Sequence, residues 1–419
     1  MSGLKQELGL LQGIGLLSTS LLGTGIFAIP ALAAVIAGQG ALWVWPLLIA
    51  LVFPVAIGFA ALGRHYPHAG GAAHFVEQAF GKRMGRAMAW LFLSVIPAGL
   101  PAALQIAAGF WQAAFGWGAS LAMLVQLATL LLILGLGLRS AGSSANVQTL
   151  IALLIICLVL VIAYAGRLWQ TPSLPQWPAA VTLGQALAVM FWCFVGIEAF
   201  AHLGSEFRQP ERDFPRALLC GLLVAGSIYW LCTLAVLHFS AYGSQLPASA
   251  SIPSIVGGLF GPRAQRIACL IGYLACFASI NIYLQSFARL IWAQAAQWRP
   301  SSRLARLSRR QVPANALTLV VGLCALSALA LQGLGVSLSE LIIYANGIFV
   351  LIYLLSMLAG VVLLQGWVRW AALLGAGLCV LMLLAIGWHS GYALAMLALL
   401  YVLACYCQRR SDRSLIQAG

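Results

Sequence analysis

The sequence predicts an all-α polytopic membrane protein with about 12 transmembrane helices. Of its 419 residues, 63% are hydrophobic and only 7% are charged, and apolar stretches of about 20 residues, the length that crosses a bilayer, recur throughout. No soluble core of this size could bury so much apolar surface. The start of the chain, MSGLKQELGL, lacks the features of a removable signal peptide, so we expect the first helix to remain in the mature protein.

The predicted spans start near positions 10, 41, 86, 119, 146, 182, 215, 264, 314, 338, 368 and 390. A net charge of +14 would suggest a nucleic-acid partner for a soluble protein, but the positive-inside rule accounts for it in this chain. If the N-terminus is cytoplasmic, the external loops carry only Arg167, Arg263 and Arg266 of the 22 basic residues. We therefore expect both termini in the cytoplasm, the lipid bilayer as partner and no nucleic acid.

The first span is interrupted near its middle. The stretch Gly13 to Ile36 is long enough to cross a bilayer, yet it is interrupted by the segment 23–25, Gly-Thr-Gly, which is preceded by Ser18, Thr19 and Ser20. A break at this depth is tolerated only where protein or a polar cavity surrounds it, and broken helices form binding sites in secondary transporters. The alternative is a packing glycine at an ordinary helix contact.

The sixth span carries a second interruption beside a buried acid. Val189 to His202, VMFWCFVGIEAFAH, places Gly196 and Glu198 in an apolar run. A charged group at this depth costs at least a few kcal/mol unless it is paired or hydrated, so it indicates a pathway or proton-linked group. The alternative is a carboxyl held neutral for structural reasons.

Breaks in the first and sixth spans predict an inverted repeat. We expect residues 10–165 to form a first five-helix repeat and 182–364 a second, followed by two extra helices (368–407) and a cytoplasmic tail (408–419), all in one transmembrane domain. Because five is odd, the second repeat starts from the opposite side and the broken helices meet near the midplane. We see no clear residue-level identity between the halves, so the symmetry rests on spacing alone.

Two such breaks suit a small zwitterion. The half-helix that resumes offers free amides to a carboxylate, and the half that stops offers carbonyls, around 20–23 and 194–195, to an ammonium. The predicted substrate-binding residues are Ser20, Gly23, Thr24, Gly25, Ile26, Phe191, Trp192, Phe194, Val195 and Gly196. No second buried acid or base is evident, and an unpaired charge would be costly, so we predict neutral apolar amino acids as substrates. Protonation of Glu198 is the available coupling hypothesis.

Other function classes fit less well. The chain has no HExxH motif and no Ser-His-Asp set beside a buried nucleophile, which argues against an enzyme. A channel would need a continuous polar lining. The ten cysteines form no CxxC pair and read as small core residues. His65, His68 and His74 lie in a polar connection without a companion Cys, so we expect neither a metal site nor a cofactor.

Three stretches carry a family resemblance: GTGIFAIPA in the first span, RHYPHAGGAAHFVEQAFG after the second, and FWCFVGIEAFAHLGSEFRQPERDFPRA across the sixth. They resemble the amino acid-polyamine-organocation transporter family. The third is the most specific, being similar to the family's aromatic stretch, Gly, aliphatic residue and Glu, followed by E-x-x-x-P-x-R-x-x-P-R. Over nearly its whole length the chain looks like the bacterial inner-membrane members that export L-methionine and branched-chain amino acids.

The resemblance implies a LeuT-like fold and a site between the first and sixth helices. By position, Thr24, Gly25 and Ile26 would face the substrate carboxylate, Trp192 would be an aromatic gate, and Val195 would offer its carbonyl to the ammonium. Glu198 falls where members carry a functionally important acid. Export as the direction, and with it an antiporter, rests on the resemblance alone. The alternative is an amino acid importer or exchanger of the same fold.

Overall fold

The computed structural model describes residues 6–116, 118–139, 141–170, 176–243, 248–334, 336 and 338–418. Its helices are α1 (Leu10–Leu22), α2 (Ile29–Ala37), α3 (Ala41–His65), α4 (Ala72–Phe80), α5 (Lys82–Leu93), α6 (Ile96–Phe115), α7 (Ala119–Gly137), α8 (Ala141–Ala165), α9 (Ala180–Met190), α10 (Ile197–Ala201), α11 (Pro210–His238), α12 (Ser251–Phe260), α13 (Pro262–Trp298), α14 (Ala314–Leu334), α15 (Leu338–Leu363), α16 (Trp367–Ile386) and α17 (Ser390–Ala418).

The helices agree with the predicted number of crossings. Among the described residues, nine stretches are long and apolar enough to span a membrane, with shorter apolar helices beside them. Two of these stretches, Ile29–His65 and Trp367–Gln408, each contain helices from two successive crossings, joined by a 3-10 turn. With α1 joined to α2, α5 to α6 and α9 to α10, and with α7 included, the described helices make twelve crossings.

Both predicted interruptions are present. Turns replace the helix between α1 and α2, and a 3-10 turn over Phe191–Phe194 precedes the turn that opens α10. By contrast, α3 runs unbroken through Pro46 and Pro54, because neighbouring helices and local adjustments can satisfy the backbone groups that a membrane proline frees.

The predicted span boundaries need three corrections. Helix α8 begins at Ala141, about one turn before the predicted start near position 146. The third and seventh crossings start earlier than expected, at Lys82 and Pro210, because basic and acidic side chains extend each helix beyond its apolar part. The polar connection after α3 contains a short helix, α4, which begins directly after Gly70 and Gly71. Helix α12 was not predicted.

Connections with basic residues gather at one end of the bundle. Near the N-terminus, the Leu8 amide donates to the Glu206 carbonyl at 3.0 Å, and the Arg208 amide donates to the Leu8 carbonyl at 2.9 Å. The connection before α5 meets the end of α13, since Gln297 Nε2 donates to Glu77 Oε1 at 2.9 Å. Because Arg289 of α13 also contacts Glu206, these four parts of the chain lie at the same end of the bundle.

The two halves share a short sequence match, contrary to the expectation that no clear residue-level identity links them. Helices α4 and α12 are each followed by a glycine and a long crossing, and Gly81 and Gly261 have nearly the same backbone angles, φ 84° and ψ 171° against φ 87° and ψ 175°. At a constant offset of 180, the shared residues are Val76 and Val256, Phe80 and Phe260, Gly81 and Gly261, Arg83 and Arg263, and Arg86 and Arg266. This match relates the third crossing to the eighth.

Candidate functional site between the two helix breaks

The first break leaves two amides available. After α1 the chain turns from Gly23 to Ala28, and its hydrogen bonds include Ile26 N to Leu22 O at 3.0 Å and Ile29 N to Gly25 O at 2.8 Å. In the described part of the chain, the amides of Thr24 and Gly25 donate to no backbone or side-chain acceptor. Unpaired amides where a helix resumes form an anion site.

The carbonyls of this break already have donors. The Leu21 carbonyl accepts from the Tyr229 hydroxyl at 2.7 Å, and the Ser20 carbonyl accepts from Ser279 Oγ at 3.2 Å. The Gly23 carbonyl accepts a weaker bond from Cys276 Sγ at 3.6 Å. Helices α11 and α13 thus hold the end of α1, and the first break presents mainly donors to its surroundings.

Close packing explains the glycine at position 25. A Cβ there would overlap the Tyr229 hydroxyl at a distance that real Cβ atoms essentially never show, and it would lie 3.0 Å from Cys193 Sγ. At position 23, a Cβ would overlap the side chain of Ser279. The two glycines therefore let the backbone of the break approach α11 and α13.

The second break is capped by its own acid. Gly196 has φ 142°, which L side chains rarely adopt, and its amide donates to Glu198 Oε2 at 3.0 Å. The fully buried Glu198 also accepts from the Tyr283 hydroxyl at 2.7 Å and contacts the Tyr353 hydroxyl. Its carboxyl therefore links the start of α10 to the eighth and tenth crossings.

The proton on Tyr353 has two possible acceptors. The Tyr353 hydroxyl lies 2.8 Å from the Phe194 carbonyl oxygen and also contacts Glu198 Oε2. Because a hydroxyl has one proton and a carbonyl can only accept, both contacts are hydrogen bonds only when Glu198 carries a proton and donates it to Tyr353. When Glu198 is ionised, Tyr353 donates to the carboxylate and the Phe194 carbonyl loses its donor.

A small cavity lies between the breaks. Its lining includes Ser20, Leu21, Thr24, Val95, Gly99, Leu100, Ala103, Trp192, Val195, Ser279, Ile280, Tyr283, Phe287 and Phe349. Only about 20 Å³ is free, which is room for about one water molecule. Across it, Trp192 Nε1 donates to Thr24 Oγ1 at 3.0 Å. A substrate the size of an amino acid would have to open this space.

Four of the predicted binding residues line the cavity, namely Ser20, Thr24, Trp192 and Val195. The Val195 carbonyl accepts no hydrogen bond from the described residues. Gly23, Gly25 and Gly196 lie beside it as backbone of the breaks.

Three predicted apolar residues lie in the core instead. Phe191 packs against Tyr353 with ring centroids 5.7 Å apart, Phe194 packs against Trp45 at 6.5 Å, and Ile26 is buried. Residues i and i+3 of a 3-10 turn share a direction, so Phe191 and Phe194 turn to the core together while Trp192 faces the cavity. The apolar wall comes from α6, α13 and α15.

The tyrosines that hold the breaks were not predicted. Tyr229, Tyr283 and Tyr353 each bond to a break or to Glu198, and Ser279 both lines the cavity and bonds to the Ser20 carbonyl. The available signal was a hydroxyl group within an apolar span, because a buried hydroxyl generally has a partner.

A buried ion pair lies on the basic side of the cavity. Arg289 in α13 contacts both carboxylate oxygens of Glu206, with Nη2 3.3 Å from Oε2, and both side chains are buried. Glu206 is the first residue of the E-x-x-x-P-x-R-x-x-P-R segment. Its carbonyl also accepts from Leu8, so one short segment connects the N-terminus, the sixth crossing and the eighth.

The histidines of the α3–α4 connection pack together. The rings of His68 and His74 stack with centroids 4.1 Å apart. Burial, with a smaller contribution from His68, lowers the pKa of His74 to about 4, so this imidazole is neutral at pH 7. The described residues contain no group of three or more His, Cys, Asp or Glu that could hold a metal ion.

Comparison with known proteins connects this geometry to transport. Residues 8–406 match the amino acid permease family. The chain is 62% identical over 408 residues to the L-methionine/branched-chain amino acid exporter YjeH of Escherichia coli (strain K12), an alignment that covers 96% of this chain and 97% of that protein. It is 24% identical over 305 residues to the serine/threonine exchanger SteT of Bacillus subtilis (strain 168), covering 70% and 69% of the two chains.

Proposed function

Because the chain belongs to the amino acid permease family, we propose that it is a secondary transporter that exports neutral apolar amino acids across the bacterial inner membrane. The proposed substrates are L-methionine, leucine, isoleucine and valine. The 62% identity to an exporter named for methionine and branched-chain amino acids supports both the substrates and the direction. The chain would work by alternating access, as a multi-pass protein.

The observation that carries this proposal is the pairing of the two breaks around one cavity. Thr24 and Gly25 offer free amides on one side and Val195 a free carbonyl on the other, which suits a carboxylate and an ammonium attached to the same carbon. The wall between them is apolar, with Leu100, Ile280 and others. A charged substrate side chain would be left unpaired there.

Proton antiport is the proposed coupling. Glu198 is the acidic residue next to the cavity, and its neighbour Tyr283 lines it. Protonation of Glu198 would turn Tyr353 toward the Phe194 carbonyl, and release of the proton would free that carbonyl. A proton and a substrate ammonium would then compete for groups at the same break, as exchange of one for the other requires.

The basic face of the bundle is the proposed cytoplasmic side. It carries the N-terminal segment and the arginine-rich connection 299–310, and positive charge favours the cytoplasm. Both termini would then be cytoplasmic. Under this orientation the Glu206–Arg289 pair closes the cytoplasmic side of the cavity.

An exchanger or importer of the same fold is the second candidate. The similarity to a protein named a serine/threonine exchanger supports it. Either would share the binding site, so the direction needs its own measurement.

The test is counterflow in proteoliposomes loaded with unlabelled methionine. We expect labelled methionine and leucine to enter faster than labelled arginine or glutamate. The site variant Thr24→Ala/Gly25→Leu should lose this entry. Gly184→Leu is the matched control, because a Cβ at Gly184 meets no atom within 4 Å. Equal exchange of arginine or glutamate would refute the apolar site.

Direction is then measured in everted membrane vesicles. A proton antiporter should accumulate methionine when the lumen is acid, because protons leaving the lumen drive the substrate in. Methionine accumulation that does not depend on the pH gradient, but increases with the concentration of amino acid inside the vesicles, would identify an exchanger. A proton-coupled importer would accumulate methionine only under the reversed gradient.

A further inference from the structure

A second cavity lies outside the proposed transport site, at the basic face. Two helix faces form it: Arg86, Trp90 and Leu93 on α5, and Ile291, Gln294, Ala295, Trp298 and Arg299 on α13. The connection after α13 closes one side through Ser302 and Leu304, and Cys407 of α17 closes another. We refer to this cavity, of about 820 Å³, as the basic groove.

The basic groove changes from charged to apolar along its length. Helices α5 and α13 run antiparallel, because Arg86 near the start of α5 stacks on Trp298 at the end of α13, while Phe92 at the end of α5 packs on Phe287 earlier in α13. Arg86 and Arg299 therefore lie toward the aqueous end of the groove, with only Arg299 exposed, while Leu93 and Ile291 lie deeper. At about 1.5 Å per residue, the seven-residue step from Arg86 to Leu93 covers roughly 10 Å. This gradient matches the change from headgroup to acyl chain in a lipid leaflet.

Arg86 supplies a buried charge with free donors. Its side chain is 4% exposed, and its Nε and Nη2 have no hydrogen-bond partner among the described residues. The guanidinium of Arg86 stacks on Trp298, and its Cζ lies 6.0 Å from the centroid of the Trp90 ring, so both rings stabilise the cation. Neither ring accepts a normal hydrogen bond from these N–H groups. Glu77 bonds to Gln297 instead. Buried donors of this kind call for an anionic partner.

We propose that the basic groove binds the phosphate of an anionic phospholipid at this membrane face. Arg86 and Arg299 bind the phosphate, and an acyl chain lies along Trp90, Leu93 and Ile291. An inorganic phosphate would share the first contact, but it would leave the apolar wall and most of the volume unfilled. Basic pockets between transmembrane helices on the cytoplasmic side commonly bind such headgroups. The binding itself requires neither the proposed substrate nor the proposed direction.

Native mass spectrometry of the full-length protein tests this proposal. The detergent-purified protein is titrated with phosphatidylglycerol, phosphatidylcholine of the same chains, or inorganic phosphate. We expect phosphatidylglycerol to be retained about tenfold better than phosphatidylcholine, the scale of one charge-assisted contact. Inorganic phosphate that binds or competes as well as phosphatidylglycerol would overturn the lipid assignment.

The variants use the internal match between the two halves. Arg86→Gln should reduce phosphatidylglycerol retention by about tenfold. Arg299→Gln, at the exposed end of the groove, should reduce it by about fivefold, and this second variant tests the proposal even if Arg86→Gln folds poorly. Arg266→Gln is the matched control, since Arg266 is the exposed counterpart of Arg86 in the other half. Unchanged retention in folded Arg86→Gln and Arg299→Gln would refute the groove. A dimer that Arg86→Gln dissociates would assign it to a second copy instead.

Discussion

The two helix breaks leave opposite backbone groups unpaired. At the first break, side chains from α11 and α13 donate to the carbonyls, and the amides of Thr24 and Gly25 stay open. At the second, Glu198 accepts from the Gly196 amide and the Val195 carbonyl stays open. Although both are glycine-containing interruptions, one presents donors to the cavity and the other an acceptor.

This difference gives the proposed site a direction. A zwitterion between the breaks would place its carboxylate on the first and its ammonium on the second. Glu198 enforces the distinction, because its carboxylate occupies the amide end that would otherwise attract a substrate carboxylate to the sixth crossing. The residue that we propose for proton coupling would thus also set the orientation of the substrate.

The largest expected effect is at the first break. Gly25→Ala would drive a Cβ into the Tyr229 hydroxyl and move the open amides. We expect methionine counterflow to fall by about a hundredfold, the scale that a shift of about 1 Å costs in a tightly built site. Gly184→Ala, in open space, should transport normally.

A second substitution distinguishes displacement of the Thr24 and Gly25 amides from misfolding of the Gly25→Ala protein. Tyr229→Phe removes the atom that the new Cβ would overlap, so Gly25→Ala/Tyr229→Phe should recover part of the lost transport. If Gly25→Ala alone transports at the wild-type rate, the first break does not bind the substrate carboxylate, and the proposed difference between the two breaks is refuted.

A smaller effect, about tenfold, is expected at the second break. Glu198→Gln keeps the shape of the side chain but removes its titration, so pH-gradient-driven accumulation should fall while counterflow, which needs no net proton movement, changes less. The measurement is methionine accumulation in everted vesicles between about pH 5.5 and 8, compared with counterflow at the same pH values. Glu340→Gln, an exposed carboxyl at the start of α15, serves as control. Equal loss in both assays would make Glu198 a structural cap only.

The two breaks could be predicted from the sequence because each interrupts the apolar pattern of a membrane-spanning helix. Gly23 to Gly25 follow hydroxyl residues at mid-span, and Glu198 is an acid in an apolar run, so each costs free energy unless the fold uses it. The match at offset 180 was equally visible, but it lies in α4, α12 and the starts of the third and eighth crossings rather than in the broken helices.

The partners of the breaks could not be predicted in the same way. Tyr283 and Tyr353 are ordinary in apolar helices, and only packing shows that both hydroxyls meet Glu198. The sequence predicted Phe191 and Phe194 as substrate-binding residues because helical periodicity does not reveal a 3-10 turn. The tighter winding of that turn directs both rings into the core.

The smallest expected effect concerns the bond that joins the breaks. Trp192→Phe removes the donor to Thr24 Oγ1 and keeps an aromatic ring over the cavity. A neutral hydrogen bond contributes about 0.5–1.5 kcal/mol net, so we expect methionine affinity, measured by calorimetry or scintillation proximity, to change by about two- to tenfold. Thr24→Val removes the acceptor with little change in shape.

The double variant determines what Thr24 does besides accepting this bond. If the two side chains act only through each other, Trp192→Phe/Thr24→Val costs no more than the larger single change. If Thr24 also donates to the substrate carboxylate, Thr24→Val alone costs more than Trp192→Phe, and the double variant equals Thr24→Val. Additive losses would mean that Trp192 acts by packing on the substrate, and the bond across the cavity would then play no part in the gate.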